Sequence, residues 1–162
     1  MSSSKIKGIC FHSARPNWVG VSLFSGELQI WDFSNGYLIC QFQEDKICVR
    51  SLDFHPLQTL LAAGGDDFVI RGYDYEGQKR TFELRGHVDF VRTAQFHPEL
   101  SWLLSSSDDQ TLRVWNWQSK VQVAVITGHS HYVMCARFQP NKDFIASVSL
   151  DSTLRLWDYS RL

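Results

Sequence analysis

Four aromatic residues, Trp31, Tyr73, Trp115 and Trp157, follow one another at a fixed interval of 42 residues. Asp32, Asp74 and Asp158 follow three of them, and Asn116 follows Trp115. Other columns keep the same register. Phe54-His55-Pro56, Phe96-His97-Pro98 and Phe138-Gln139-Pro140 recur, and Phe11-His12 opens the series with one extra residue in its repeat. Gly86-His87 and Gly128-His129 are also 42 apart, and the same offset backwards lands on Glu44-Asp45, where the pair is absent. A chain built this way repeats one supersecondary unit, and each unit must bury its apolar face against its neighbour.

A period of about 40–45 residues closed by Trp-Asp resembles the WD repeat, in which each repeat supplies the strands of one propeller blade. The fold class expected is therefore all-β, a WD-repeat β-propeller with four repeats present. The whole chain, 1–162, reads as one partial propeller with repeats near 5–42, 46–84, 88–126 and 130–162. Short alternating segments fit strands: Val91–Phe96, Trp102–Ser106, Leu112–Trp115 and Val121–Ile126 in the third repeat, with Asp108-Asp109-Gln110 as a turn. Repeat 2 spans Val49 to Leu84, repeat 1 Ile6 to Phe42, and repeat 4 Val133 to Trp157. The last repeat lacks an outer strand. Rings of this kind hold about 4–8 blades, commonly seven. Four repeats read as part of a seven-bladed ring, because open strand edges with apolar faces invite aggregation.

Charge is nearly balanced, with 16 Lys+Arg against 17 Asp+Glu. No basic run is present to neutralise a phosphate backbone, so nucleic acid is not an expected partner. No apolar run approaches the ~20 residues that cross a bilayer, and the polar start lacks a signal peptide's apolar stretch. Cys10, Cys40, Cys48 and Cys135 show no close spacing and read as small buried hydrophobes in a reducing compartment. A cytoplasmic location follows from that reading.

Two repeats carry a complete polar set. Repeat 3 offers His87, Ser105, Asp109 and Trp115; repeat 4 offers His129, Ser147, Asp151 and Trp157. Such a network satisfies an indole N–H, an imidazole and a carboxylate together, which makes their burial tolerable. A hydrolase triad would use the same residue types, but it would occur once and need an oxyanion hole, and no Gly-x-Ser-x-Gly elbow is present. His129 and His131 have no nearby third ligand, so no metal is expected, and no cofactor. Repeat 2 reads Asp45, Ala63, Asp67 and Tyr73, and repeat 1 offers only Val21, Ser25 and Trp31. Those two blades are expected to rely on apolar packing.

The columns beside the polar sets should open onto one face of the ring. Seven residues before each Trp or Tyr stand Phe24, Asp66, Asp108 and Leu150. Four residues before each motif Phe stand Lys7, Arg50, Arg92 and Met134, and six before it Lys5, Cys48, Phe90 and Tyr132. Two readings stay open on the columns alone. The residues make ordinary exposed ion pairs, each worth about 0–1 kcal/mol. Alternatively they form a composite site for a zwitterionic peptide end, with Asp66 and Asp108 receiving ammonium groups, Lys7 and Arg50 a terminal carboxylate, and Tyr132 a hydrogen bond.

Four stretches carry a closer likeness: GHVDFVRT from Gly86, SSSDDQTLRVWNWQ from Ser105, GHSHYVMCA from Gly128 and SLDSTLRLWD from Ser149. They resemble the alpha-subunit family of coatomer, the vesicle coat working between Golgi and endoplasmic reticulum. The resemblance covers all four repeats and is weakest in the first. It implies the start of an N-terminal seven-bladed propeller whose upper face recognises cytosolic C-terminal dilysine tails of membrane proteins. Lys7, Arg50, Asp66, Phe90, Asp108 and Tyr132 look like the family's peptide-contacting positions. Phe24 stands where that family usually has His, and Phe90 where Tyr is usual. The implied role is cargo selection in Golgi-to-ER and intra-Golgi transport, without catalysis. The implied partners are dilysine tails and sibling coat subunits, with peripheral attachment to Golgi membrane through the coat. A generic WD-repeat interaction scaffold is the alternative.

Overall fold

The computed structural model describes residues 4–45 and 47–162. Fifteen strands account for its regular structure. Blade 1 holds β1 (Ile6–Phe11), β2 (Trp18–Leu23), β3 (Glu27–Asp32) and β4 (Tyr37–Gln43). Blade 2 holds β5 (Val49–Phe54), β6 (Leu60–Gly65), β7 (Ile70–Asp74) and β8 (Lys79–Leu84). Blade 3 holds β9 (Val91–Phe96), β10 (Trp102–Ser107), β11 (Leu112–Asn116) and β12 (Val121–Ile126). Blade 4 holds β13 (Val133–Phe138), β14 (Phe144–Ser149) and β15 (Leu154–Asp158). Every sheet is an antiparallel meander in chain order. The all-β propeller reading holds, and strand ends differ from the sequence expectation by about a residue, as boundaries usually do.

Sheets stack face to face because both faces of an inner blade are apolar. Blades 1 and 2 share Leu28, Ile30, Leu52, Phe54, Leu61 and Tyr73. Blades 2 and 3 share Ile70, Phe82, Val91, Leu103 and Trp115. Blades 3 and 4 share Leu104, Leu112, Val114, Val133 and Ile145. Gly72 is required at one such face: the Phe82 ring lies where a Cβ would stand, 2.0 Å from it. The end blades expose the corresponding columns. Leu112 and Val114 are 1% and 0% exposed, whereas Leu154 and Leu156, one repeat later, are 67% and 65% exposed.

Polar bonds stitch each junction at two further levels. On the inner strands, the residue preceding one blade's motif Phe accepts the N–H of the next blade's motif Phe. Asp53 accepts from Phe96 and Gln95 from Phe138, both at 2.9 Å, and the Cys10 thiol faces the Phe54 N–H. At the end of the first three inner strands, the motif histidine caps a turn with Nδ1. His12 accepts from the Ala14 and Arg15 N–H groups, and His97 from those of Glu99 and Leu100. Nε2–H then donates across the junction, from His12 to the Tyr75 hydroxyl and from His97 to the Tyr159 hydroxyl, each at 2.9 Å. His55 caps its turn likewise and packs its ring edge-on against Trp117.

Asp53 is the exposed weakness of this stitching. Burial pushes its pKa up to about 6, against the Phe96 N–H and the Arg137 guanidinium, which favour the charged form. A carboxyl whose folded value is raised contributes stability that is present below the unfolded value and is lost as pH rises through the folded one. An Asn carbonyl can accept the same N–H without the charge. Asp53→Asn is therefore expected to match the parent near pH 4 and to exceed it by about 1–3 kcal/mol at pH 7.5 in urea unfolding. A variant equally or less stable at both pH values contradicts this reading.

Candidate functional site

The two polar sets form as their spacing implies. In blade 3 the His87 Nδ1–H donates to Asp109 Oδ2 at 2.7 Å, and the Ser105 hydroxyl donates to His87 Nε2 at 2.7 Å. The Trp115 indole N–H completes the chain by donating to Ser105 Oγ at 2.9 Å. Blade 4 repeats it with His129, Asp151, Ser147 and Trp157 at 2.7–2.8 Å. Thr111 and Thr153 hydroxyls donate to Asp109 and Asp151 at 2.6 Å. Burial holds His87 below its ordinary pKa, outweighing Asp109, so the ring is neutral and its tautomer is fixed. Burial works to raise Asp109, but hydrogen bonds from His87 and Thr111 outweigh it and keep the carboxyl below the usual range. Ser105 is 0% exposed and its oxygen is committed on both sides. These sets join the linker before a blade to its second and third strands.

Blade 2 corrects the sequence reading. It does not rest on apolar packing alone. Glu44, at the position where later repeats have Gly, is buried and accepts the Tyr73 hydroxyl at 2.8 Å. Arg80 donates to both Glu44 oxygens at 2.7 and 2.9 Å, and Arg71 bridges Glu44 and Asp67. An ionic cluster thus replaces the imidazole–hydroxyl chain, and Asp45 lies exposed outside it. In blade 1, Trp31 instead donates to Gln29 at 3.0 Å.

Above these sets lies the face carrying the charged columns. One backbone bond recurs in every blade and joins two of them. Phe24 N–H donates to Lys5 C=O, Asp66 to Cys48, Asp108 to Phe90 and Leu150 to Tyr132, at 2.8–3.0 Å. The third column occupies the β-bulge of each inner strand: pairing shifts register across Lys7, Arg50, Arg92 and Met134. A bulged residue leaves the ladder and its side chain is re-aimed. Here it turns towards the acid column.

Of the two readings the columns left open, the ion-pair one holds for both acids, and the pairs are partly buried instead of exposed. Arg50 forks onto both oxygens of Asp66, with Nη2 at 2.8 Å. Arg92 forks onto Asp108, with Nε at 2.6 Å. Bidentate pairs of this kind are the strong ones. Asp66 keeps 22% of its side chain exposed, whereas Asp108 keeps only 3%. The carboxylate of Asp108 is thus covered by its own blade, which corrects the notion of two open acceptors.

The columns nevertheless converge. Asp66, Arg50 and Lys7 all act on the buried Cys48 thiol, which burial in the first place holds above its ordinary pKa. Arg92 is held above its ordinary value first by the Asp108 hydrogen bond and then by Asp108, Asp66 and Asp89 charge. The Arg50 guanidinium covers the Phe90 ring at 4.8 Å, and the Lys7 ammonium stands 5.4 Å from the Phe24 centroid. Tyr132 lies one blade on, 37% exposed, with its ring against His131. No hydrogen bond, ion pair or ring contact joins Tyr132 to the other five among the described residues. The result is a charged and aromatic crown across blades 1–3.

Ser105→Ala tests the division between wheel and crown. It leaves the Trp115 N–H and the His87 Nε2 without partners in a buried site, which costs about 1–3 kcal/mol for each such group. A Ser105→Ala loss of about 2–4 kcal/mol in urea unfolding is expected. A change under about 0.5 kcal/mol would remove the structural role assigned to the set.

Comparison with known proteins fits the geometry. The family pattern described as WD domain, G-beta repeat matches residues 36–74, 78–116 and 120–158. Protein SPA1-RELATED 4 of Arabidopsis thaliana is 37% identical over 71 residues, covering 43% of this chain and 9% of that protein. Coatomer subunit alpha-1 of Arabidopsis thaliana is 49% identical over 42 residues, covering 26% of this chain and 3% of that protein. Coatomer subunit alpha of Saccharomyces cerevisiae is 51% identical over 37 residues, covering 23% and 3%. The matched segments span under a tenth of each relative's length, so they are short, and they point to two kinds of protein. What they have in common with the repeat pattern, the blade sheets and the two polar sets is one family: the chain belongs to the WD-repeat proteins of the WD domain, G-beta repeat type.

Proposed function

We propose that this chain is a non-catalytic recognition module of a coatomer-like vesicle coat, and that its crown receives cytosolic C-terminal dilysine tails of membrane cargo. The observation that carries the reading is the meeting of the Arg50–Asp66 pair with Lys7 and Phe90 on one face. Short identity of about half to coatomer alpha subunits supports it. Asp66 offers a partly open carboxylate edge for an ammonium group. Asp108 joins when Arg92 swings aside, and until then its charge acts through Arg92. Lys7, exposed on its strand, takes the terminal carboxylate with Arg50. The phenol of Tyr132 closes the far side. The Ser105 and Ser147 hydroxyls are tied into the buried sets, which fits a binding role. In such a coat the chain works at the cytoplasmic face of Golgi membranes, held peripherally by sibling subunits, in Golgi-to-ER and intra-Golgi traffic.

A second reading, a general protein-interaction scaffold, is favoured by the longer match to SPA1-RELATED 4. Calorimetry separates the two. A peptide ending in a dilysine tail should bind, and Asp66→Asn or amidation of the peptide terminus should each weaken it about tenfold or more. Binding indifferent to both changes, or absent, leaves the scaffold reading.

A further inference from the structure

The turn between the second and third strands uses a left-handed residue in every blade: Gly26 at φ 95°, Phe68 at 69°, Gln110 at 71° and Ser152 at 66°. Glycine and small polar residues suit this region, whereas a bulky aromatic is an outlier there. Phe68 holds that conformation while leaving 36% of its surface exposed, so it is not a core residue that excuses the strain by burial. Strained residues that persist at a surface cluster where a chain binds something. What Phe68 does is geometric. Its ring lies 6.0 Å from that of Phe90, tilted by 40°. Phe90 in turn lies under the Arg50 guanidinium, and Arg50 holds Asp66. Phe68, Phe90, Arg50 and Asp66 therefore form one continuous stack, apolar at one end and acidic at the other.

We propose that Phe68 and Phe90 form a shelf that selects an aromatic side chain adjoining the lysine pair of the bound tail, with Phe68 as the specificity-determining residue. The inference rests on the tail-binding reading and goes beyond it, since that reading gives no role to Phe68 and none to the peptide residues beside the lysines. A lysine directed to Asp66 brings its neighbour in the peptide onto the exposed ring, because successive residues are only ~3.8 Å apart. An aromatic contact of this kind strengthens binding about two- to tenfold.

The test uses two tail peptides, one with Phe on both sides of the lysine pair and one with Ala there. The parent chain should bind the first about two- to tenfold more tightly. Phe68→Asn, which suits the left-handed turn, should bind both equally and at the affinity of the Ala peptide. Its Tm should be unchanged or raised by up to a few degrees. Equal binding of both peptides by the parent overturns the shelf and leaves the charge site standing. A Phe68→Asn chain with a markedly lower Tm makes Phe68 a packing residue, and also overturns it. Failure of the parent to bind either peptide overturns the shelf and the tail-binding reading together.

Discussion

One extra residue in each inner strand decides what the upper face can be. Lys7, Arg50, Arg92 and Met134 each stand where pairing with the second strand shifts register. The bulge removes each from the ladder and turns it outward. Two of the four meet an acid from the turn of their own blade and form forked pairs. The other two blades have Phe24 and Leu150 in the acid column. The crown is thus polarised: paired charges on blades 2 and 3, and on blade 1 an ammonium over an aromatic ring, without an ion pair among the described residues.

Below the crown, the wheel is held by repeated bonds that carry no chemistry outward. The His–Ser–Asp–Trp sets fasten the linker to the blade. Two motif histidines fasten blade 1 to blade 2 through Tyr75 and blade 3 to blade 4 through Tyr159. Both give each imidazole nitrogen a defined partner, which is the condition for burying it. Blade 2 reaches the same end by ion pairing. Glu44, Arg71, Asp67 and Arg80 replace a neutral chain with charges that must all be paired, since losing one partner of a buried pair is costly. The fastening of a linker to its blade can therefore be kept while its chemistry changes entirely.

The sequence made the period and the complete polar sets legible, because a fixed spacing of 42 residues reports a fixed geometry. It placed Lys7, Arg50, Asp66 and Asp108 in columns that do share a face. It could not show that Arg50 and Arg92 would take the acids, since a column gives a location and not a partner. Glu44 was missed because the reading sought a lost Gly-His pair and not a substitute for it. The histidine latches had a signal that went unused: Tyr75, Trp117 and Tyr159 stand two residues after the motif aromatic, one repeat on from His12, His55 and His97. Phe68 had a signal only in its column, 42 residues after Gly26 and 42 before Gln110, because nothing in residue type announces a left-handed phenylalanine.

The proposed recognition at the crown depends on an ammonium group finding Asp66 although Arg50 already holds it. A double-mutant cycle in calorimetry measures that contact alone. It pairs Asp66→Asn in the chain with norleucine for lysine in a dilysine peptide. A direct contact gives a coupling of about 1 kcal/mol or more. Effects that add to within ~0.3 kcal/mol would mean that the ammonium never meets the carboxylate, and the crown would then be only a set of ion pairs at the top of a wheel.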